Sequence, residues 1–240
     1  MKIIKVKDYE EMSDTAAQYM LALIKEDPCA VLGLATGASP IGLYKRLVED
    51  YRENKTNYEN IKTFNLDEYI GLGSHSPQSY HYFMYTYLFK HININKKNIQ
   101  IPNGFARDIK EECKRYNEKL KKYTIDLQIL GIGANGHIGF NEPGTSFSSE
   151  VHVVKLDENT RKANARFFRS IDEVPTHSIT MGIKNIMEAK KIMLLAFGSK
   201  KSKALYDMFY GEITENMPAS ILRTHPNITV VAEKEASSLL

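Results

Sequence analysis

The chain has 240 residues, a formal net charge of +3, and the apolar and charged fractions of an ordinary globular protein. It contains no long run of like charges that would indicate nucleic-acid binding, and no apolar stretch long enough to cross a membrane. The N-terminus lacks the continuous apolar segment of a signal peptide. Cys29 and Cys113, the only cysteines, are too few for a disulfide framework or a zinc site. We therefore expect a cytoplasmic protein with buried, reduced thiols.

The first third of the chain alternates between helical and strand patterns. A capping-box pattern at Asp8, followed by apolar residues at helical spacing, predicts a first helix that ends near Asp27. Residues 30–35 (AVLGLA) form an apolar run typical of a parallel strand buried on both faces. We expect the next helix to be capped by Ser39 and to have Pro40 at its first position.

The turn between that strand and that helix consists of Thr36, Gly37, Ala38 and Ser39. Small residues and exposed amide groups at a helix N-terminus form an anion site, most often for phosphate. An ordinary capped turn has the same composition, so the pattern alone leaves both interpretations open. The turn is not a P-loop, because no Gly-Lys-Ser/Thr follows it.

Residues 61–66 (IKTFNL) predict another strand, and Asp67 follows it directly. In open α/β folds, ligands bind beyond the carboxyl ends of the strands, where loops carry functional residues. Asp67 is therefore a candidate functional acid, although a helix cap or a turn residue would look the same.

Two helices are expected in the next part of the chain. Residues 80–92 carry many aromatic side chains at helical spacing, which indicates a helix packed in the core. Residues 108–122 form an amphipathic, highly charged pattern with a solvated face. The histidines in this region, at 75, 81 and 91, match no metal-ligand pattern, so we expect no metal site.

Residues 125–132 predict an apolar strand, and the glycine-rich loop after it is unusually polar. Asn135, His137, Asn141 and Glu142 lie in this loop. Imidazole is the usual general base at neutral pH, and a carboxylate or amide at its second nitrogen fixes the tautomer. A lone histidine could simply bond to a tight turn, but a histidine grouped with a carboxylate at the end of a strand favours catalysis.

The same loop contains a G-x-G-x-x-G pattern at Gly131, Gly133 and Gly136. A dinucleotide site needs a helix to begin at the third glycine, so that its amides face a pyrophosphate. Gly139 and Pro143 make a helix there improbable. We therefore reject a nucleotide-binding function.

The remainder of the chain continues the alternation without a linker or repeat, so we expect one domain spanning residues 1–240. The predicted elements are a strand at 151–156, a helix at 157–168, an extended segment at 179–183, a short helix at 185–189, a buried strand at 191–197, a helix at 202–210 opened by residues 198–201, a final helix near 218 and a strand at 228–232.

Several blocks in this order resemble the glucosamine-6-phosphate deaminase family. They are LATGASPIGLY at 34–44, FNLDEY at 64–69, GIGANGHIGFNEP at 131–143, and TRKANARFF at 160–168 with GSKK at 198–201. The resemblance implies a doubly wound α/β fold, with a mostly parallel sheet between helices on both faces. It also implies conversion of glucosamine 6-phosphate and water to fructose 6-phosphate and ammonia, without metal or organic cofactor.

The resemblance assigns roles to individual residues. His137, supported by Glu142 and Asn135, would move the proton that opens the sugar ring. Asp67 would take the proton from C2 and return it to C1. Many relatives carry an aspartate at the position of Asn135, so the pH optimum is open; an amide can still orient His137, but Glu142 must then supply most of the stabilising charge.

The substrate phosphate would lie on the turn formed by residues 36–39, with Arg166 and Lys201 supplying positive charge. The partner is thus a small sugar phosphate. Hexameric relatives that N-acetylglucosamine 6-phosphate activates bind that effector with basic residues just after the central motif. Here the segment at 149–155 reads SEVHVVK. We therefore expect a monomer or small homo-oligomer without this activation.

Three other functions are compatible with parts of the pattern. A 6-phosphogluconolactonase or a sugar-phosphate isomerase can share the fold and the anion-binding turn, but lactone hydrolysis needs no proton carrier such as Asp67. A sugar-phosphate sensor usually brings a DNA-binding segment, for which we expect no room before the first strand.

Overall fold

A computed structural model describes residues 1–165 and 168–240 of the chain. The strands are β1 (Lys2–Val6), β2 (Val31–Leu34), β3 (Lys62–Asn65), β4 (Asp67–Tyr69), β5 (Ile99–Gln100), β6 (Leu127–Gly131), β7 (His152–Lys155), β8 (His177–Thr180), β9 (Ile192–Ala196) and β10 (Ile228–Glu233). The α-helices are α1 (Tyr9–Glu26), α2 (Ile41–Asn54), α3 (Tyr80–Tyr87), α4 (Ile109–Leu120), α5 (Glu158–Asn164), α6 (Ile183–Met187) and α7 (Ser202–Tyr210). Short 3-10 helices cover Phe89–His91, Lys96–Asn98, Ile171–Glu173, Ser199–Lys201 and Pro218–Thr224.

Seven strands form one parallel sheet in the spatial order β1-β10-β9-β6-β2-β3-β5. From β2 the chain runs outward to β3 and β5, then returns to the other side of β2 and continues through β6, β9 and β10. The winding direction therefore reverses between β2 and β6, which is the position at which open α/β sheets bind ligands. Helices flank the sheet, and the predicted doubly wound α/β fold is confirmed.

Strands β2 and β9 of this sheet are buried along their whole length, and β3 and β6 at all but one residue. Helix α1 contributes Met12, Ala16 and Met20 to the same large apolar core, as its spacing predicted. Parallel strands covered on both faces have few polar positions, which is why their apolar runs could be recognised.

A second, smaller sheet was not predicted. Strands β4, β8 and β7 form an antiparallel sheet in which Asp67 pairs with Thr180. Only Leu66 separates β3 from β4, so the chain passes from the main sheet into the small sheet at its carboxyl edge. The small sheet packs through Tyr69, Phe140 and Leu156, which form an apolar cluster apart from the main core.

Two predictions near the N-terminus were wrong. The first residues form β1 at the edge of the main sheet, whereas we assigned them no strand. Helix α2 begins at Ile41 with Pro40 at the N-cap, and Ser39 makes no capping hydrogen bond. The hydroxyl of Tyr9 accepts a hydrogen bond from the Gly42 amide at 2.8 Å and donates to the carbonyl of Ala38 at 2.8 Å. A side chain from α1 therefore performs the capping role that we assigned to Ser39.

Other expectations need smaller corrections. Helix α3 is not a fully buried core helix, because Tyr82, Tyr85 and Tyr87 are exposed. Cys29 is exposed, while Cys113 is buried as expected. The segment after residue 217 is a 3-10 helix. Helix α5 covers Glu158–Asn164, and residues 166 and 167 of the helix expected at 157–168 lie outside the described residues. No helix within 1–165 and 168–240 has the length and apolar character needed to cross a bilayer.

Candidate active site

Four loops that carry the predicted site residues leave neighbouring strands at one edge of the main sheet. They follow β9, β6, β2 and β3, which lie side by side and run parallel. Neighbouring strands are about 4.8 Å apart, so loops that leave these strands can converge on one small ligand. At the switch point, Ser39 lies against Gly131, since a Cβ atom at Gly131 would be 3.6 Å from the Ser39 hydroxyl.

His137 and Glu142 form a pair in the loop after β6. Nδ1 of His137 lies 3.4 Å from Oε2 of Glu142, which is longer than a well-formed hydrogen bond. No other described residue provides a partner for this nitrogen. The ring lies over Gly133, where a Cβ atom would come within 2.3 Å of Nδ1. With Nδ1 directed to the carboxylate, Nε2 is the nitrogen available to a substrate.

The Glu142 carboxylate receives hydrogen bonds on both of its oxygen atoms. Nδ2 of Asn135 donates to Oε2 at 2.8 Å, and the hydroxyl of Thr160 donates to Oε1 at 2.6 Å. Burial acts to raise the pKa of Glu142, but the close approach and charge of His137 and the hydrogen bonds from Thr160 and Asn135 outweigh it and lower the pKa to about 2. Glu142 is therefore ionised at neutral pH.

Asn135 contacts Glu142 and the backbone of the loop. Its Oδ1 accepts a hydrogen bond from the His137 amide at 3.2 Å. We expected this amide to orient the His137 ring directly. In the structure Asn135 instead bonds to Glu142, the carboxylate that faces the ring. Asn141, the other amide of the loop, is fully buried and donates to the carbonyls of Ile138 and Met181; it shapes the loop.

Asp67 lies at the start of β4 and is almost completely buried. Burial, with a smaller contribution from the charge of Glu68, raises the pKa of Asp67 to about 8. No described side chain donates a hydrogen bond that would oppose this rise. The carboxyl group faces the loop after β6, because a Cβ atom at Gly139 would lie 3.7 Å from Oδ2 of Asp67.

Thr180 joins Asp67 to the His137 loop. Thr180 is the register partner of Asp67 between β8 and β4, and its hydroxyl accepts a hydrogen bond from the amide of Phe140 at 3.2 Å. Gly139 has a positive φ of 59° beside this contact, where a side chain would meet both Thr180 and Asp67. The structure thus brings Asp67, Asn135, His137 and Glu142 into one site.

The turn at Thr36, Gly37, Ala38 and Ser39 lies beside this site and is partly exposed. Gly37 has a φ of 85°, which an L side chain rarely adopts. The carbonyl of Ala38 in this turn accepts a hydrogen bond from Tyr9 of α1, and the Tyr9 ring also packs against Phe197 at 4.8 Å. Because Phe197 leads from β9 into residues 198–201, the turn and the Lys201 segment are connected through Tyr9.

Lys201 ends the 3-10 helix Ser199–Lys201, immediately before α7. Its side chain is partly buried, whereas its neighbour Lys200 is exposed. Arg166, the other predicted phosphate ligand, lies outside the described residues.

The sequence analysis missed two residues of the site, Thr160 and Tyr9. Thr160 opens one of the family-like blocks, which was the available signal, but nothing local in the sequence marks Tyr9.

Within the described parts of the chain, no three His, Cys, Asp or Glu side chains are grouped so that they could hold a metal ion.

Residues 7–231 match the family described as Glucosamine-6-phosphate isomerases/6-phosphogluconolactonase. The chain belongs to this family. Two relatives named glucosamine-6-phosphate deaminase are each 54% identical over the whole chain: one from Thermoanaerobacter pseudethanolicus, with 95% of that protein covered, and one from Clostridium botulinum, with 99% covered.

Solved structures agree with this assignment. A structure described as a monomeric glucosamine-6-phosphate deaminase is 48% identical, with a TM-score of 0.98 and 100% of both chains covered. A 6-phosphogluconolactonase from Trypanosoma brucei is 18% identical, with a TM-score of 0.81, 100% of this chain and 98% of that chain covered. At that identity the second similarity shows a shared fold only.

Proposed function

We propose that the protein is a glucosamine-6-phosphate deaminase, which converts glucosamine 6-phosphate and water to fructose 6-phosphate and ammonia. The observation that carries the proposal is the buried Asp67 carboxyl, which faces Gly139 of the loop that carries the His137–Glu142 pair. The full-length similarity to proteins that carry this name supports the same activity.

His137 opens the sugar ring in this proposal. Nε2 takes the proton from the hydroxyl on C1 and delivers it to the ring oxygen, which yields the open-chain aldehyde. Glu142 stabilises the imidazolium that forms between these two transfers, because it is ionised and lies at Nδ1. Asn135 keeps the carboxylate in place from the opposite side.

Asp67 then moves a proton between two carbons. The carboxylate removes the proton from C2 and returns it to C1, while one proton of the C2 ammonium passes to the C1 oxygen. C1 becomes an alcohol and C2 an iminium, which water hydrolyses to the ketone and ammonia, released as ammonium. A carrier for this step must both accept and release a proton near neutral pH, and a pKa of about 8 suits that requirement. Lactone hydrolysis requires no such carrier, so the buried Asp67 favours the deaminase over the lactonase.

Substrate phosphate binds to the turn at 36–39, with Lys201 as a point charge and Arg166 as a bidentate partner. The turn is partly exposed, and a hydrogen bond from Tyr9 to the carbonyl of Ala38 anchors it, which supports the assignment. Neither a metal nor an organic cofactor is needed for these steps. We further propose that the protein is a monomer or small oligomer, in line with the monomeric neighbour.

The decisive experiment incubates the purified protein with glucosamine 6-phosphate and measures ammonia and fructose 6-phosphate together, with and without a chelator. We expect equal amounts of both products and no chelator effect. Parallel incubation with 6-phosphogluconolactone tests the alternative activity. Hydrolysis of the lactone without release of ammonia from the amino sugar would overturn the proposal.

His137→Gln separates ring opening from binding. This variant should lose turnover of the cyclic substrate while it retains most of its affinity for the open-chain analogue 2-amino-2-deoxyglucitol 6-phosphate. Equal losses of turnover and analogue affinity would assign His137 a structural role instead.

A further inference from the structure

Thr160 connects a peripheral helix to the proposed catalytic pair. It lies in α5, which follows β7 of the small antiparallel sheet and has no strand of the main sheet as its immediate neighbour in sequence. Its hydroxyl donates a 2.6 Å hydrogen bond to Oε1 of Glu142, and the residue is 7% exposed. This short bond links α5, which lies between β7 and β8 in the chain, to the loop after β6.

The two oxygen atoms of Glu142 have different partners, and this fixes the plane of the carboxylate. Oε2 accepts from Asn135 and faces His137, while Oε1 accepts only from Thr160 among the described side chains. Rotation about the terminal bond of a glutamate is otherwise broad. Without the Thr160 bond, one oxygen loses its anchor and the plane can turn away from the His137 ring.

A competing environment lies on the other side of Glu142. Glu142 borders a cleft of about 570 Å³ that is also lined by two cations and two acids, Lys155, Arg161, Asp157 and Glu158. The cleft gives a carboxylate that is no longer held room to turn away from His137. The hydroxyl of Thr160 therefore restricts a motion that the surrounding space permits.

We propose that Thr160 is a positioning residue, which holds the Glu142 carboxylate toward His137 so that the pair is correctly assembled only when α5 is docked. This inference rests on the proposed deaminase function. Thr160 touches neither the reacting atoms nor the phosphate in this proposal. It acts entirely through the orientation of Glu142.

The kinetic test uses Thr160→Val, which replaces the hydroxyl with a methyl group of similar size, and Thr160→Ser, which retains the hydroxyl. We expect Thr160→Val to lower kcat by about 10- to 100-fold, as a misplaced catalytic group does, with KM within about 2-fold of wild type. The acidic limb of its pH–rate profile should move to higher pH, because a carboxylate that loses a hydrogen-bond donor becomes easier to protonate. Thr160→Ser should restore most of kcat and the original limb.

Thr176→Val is the matched control. Thr176 lines the same cleft, is exposed, and bonds through its hydroxyl to His177 instead of Glu142. This variant should keep the kcat and the pH profile of the wild type. Equal kinetic losses in Thr160→Val and Thr176→Val, or a Thr160→Val enzyme with wild-type kcat, would overturn the assignment.

A crystal structure of Thr160→Val separates this inference from the proposed reaction. It should show the Glu142 carboxylate rotated out of its contacts with His137 and into the cleft, whatever substrate the protein uses. A Glu142 side chain that keeps its contacts with His137 and Asn135 in this variant would refute the positioning role. Absence of ammonia release by the wild type, together with a rotated Glu142 in the variant, would refute the deaminase function alone.

Discussion

The amide Nδ2 of Asn135 donates a hydrogen bond of 2.8 Å to Oε2 of Glu142. An aspartate at this position could not donate unless it carried a proton, because ionised carboxylates only accept hydrogen bonds. The chain therefore places a neutral donor where many relatives, by resemblance, have a second negative charge. Because the Asn135 side chain bonds to Glu142 and not to the His137 ring, the difference in charge affects Glu142 directly and His137 only through Glu142.

Asn135→Asp should move the acidic limb of kcat/KM to higher pH. Two neighbouring carboxylates resist joint ionisation, so the pair retains a proton at a pH where the Asn135 enzyme has none. We expect an active enzyme at mildly alkaline pH and a reduced rate at acidic pH, measured by kcat/KM across pH. Asn216→Asp adds the same charge at an exposed residue and should leave the profile unchanged. An unshifted limb in Asn135→Asp would contradict the proposed coupling.

Asp67→Asn should abolish turnover and stabilise the fold at neutral pH. The folded protein holds a proton on Asp67 more tightly than the unfolded chain does, since the folded pKa is about 8. Stability from this group is therefore complete below the ordinary pKa of an aspartate, near 4, and is lost as the pH rises toward 8. The amide that replaces the carboxyl group in the variant does not ionise, so the free energy of unfolding of Asp67→Asn does not fall in this pH range.

Denaturant unfolding at about pH 5 and about pH 8.5 provides the measurement. The gain in unfolding free energy of Asp67→Asn over wild type should be larger at the higher pH and should reach at least about 1 kcal/mol there. A variant that is less stable than wild type at both pH values would mean that Asp67 has a structural role. Retained deaminase activity would remove it from the mechanism.

Strands β2, β6 and β9 of the main sheet were predictable because they are almost entirely buried and appear in the sequence as apolar runs that end near a glycine. The small sheet was predictable only in part. Its strands β7 and β8 overlap the strand expected at 151–156 and the extended segment expected at 179–183, but β4 has just three residues, too few for a periodic signal. The position of Asp67 followed from the end of β3, but its pairing with Thr180 depends on a contact between distant parts of the chain. Edge strand β1 has a mixed apolar and basic pattern that did not indicate a buried strand.

Within the site, the sequence was enough to predict which residues are functional, but their hydrogen-bond partners depend on the tertiary structure. His137, Glu142 and Asn135 fall within eight residues of one loop, so their grouping was visible in the sequence. The donor Thr160 and the capping Tyr9 come from other elements, and side-chain bonds across long sequence separations leave no local pattern. Asn135 shows the limit most clearly, because its residue type was noted but its bond to Glu142 was not.

Lys201→Ala should weaken binding of the phosphorylated substrate by roughly 1.5 to 3 kcal/mol, the range for a hydrogen bond to a charged group. Lys200→Ala is the matched control, because Lys200 is adjacent and exposed while Lys201 is partly buried. We expect KM for glucosamine 6-phosphate to rise in Lys201→Ala only, and the slow turnover of unphosphorylated glucosamine to be unaffected in both variants. An equal loss with the unphosphorylated sugar would show that Lys201 does not act on the phosphate.

The segment after the central loop should not bind an activating sugar phosphate. Glu150 accepts hydrogen bonds from Lys184 at 2.8 Å, Lys121 at 3.2 Å and Asn117 at 2.5 Å. The bonds from these groups, Lys184 first, lower the pKa of Glu150 to about 2, so a negative charge is fixed there. These bonds join the beginning of the small sheet to α4 and α6, and the two lysines are already engaged by the carboxylate.

We therefore expect hyperbolic kinetics and no activation by N-acetylglucosamine 6-phosphate. An effector shifts an equilibrium only by its difference in affinity between two states, and a phosphate that meets Glu150 gains little in either state. Initial rates measured over a wide range of glucosamine 6-phosphate, with and without the acetylated sugar phosphate, test this expectation. Light scattering at the same protein concentration should report a monomer or small oligomer. Sigmoidal curves that become hyperbolic when the acetylated sugar is added would demonstrate an activating site elsewhere on the molecule.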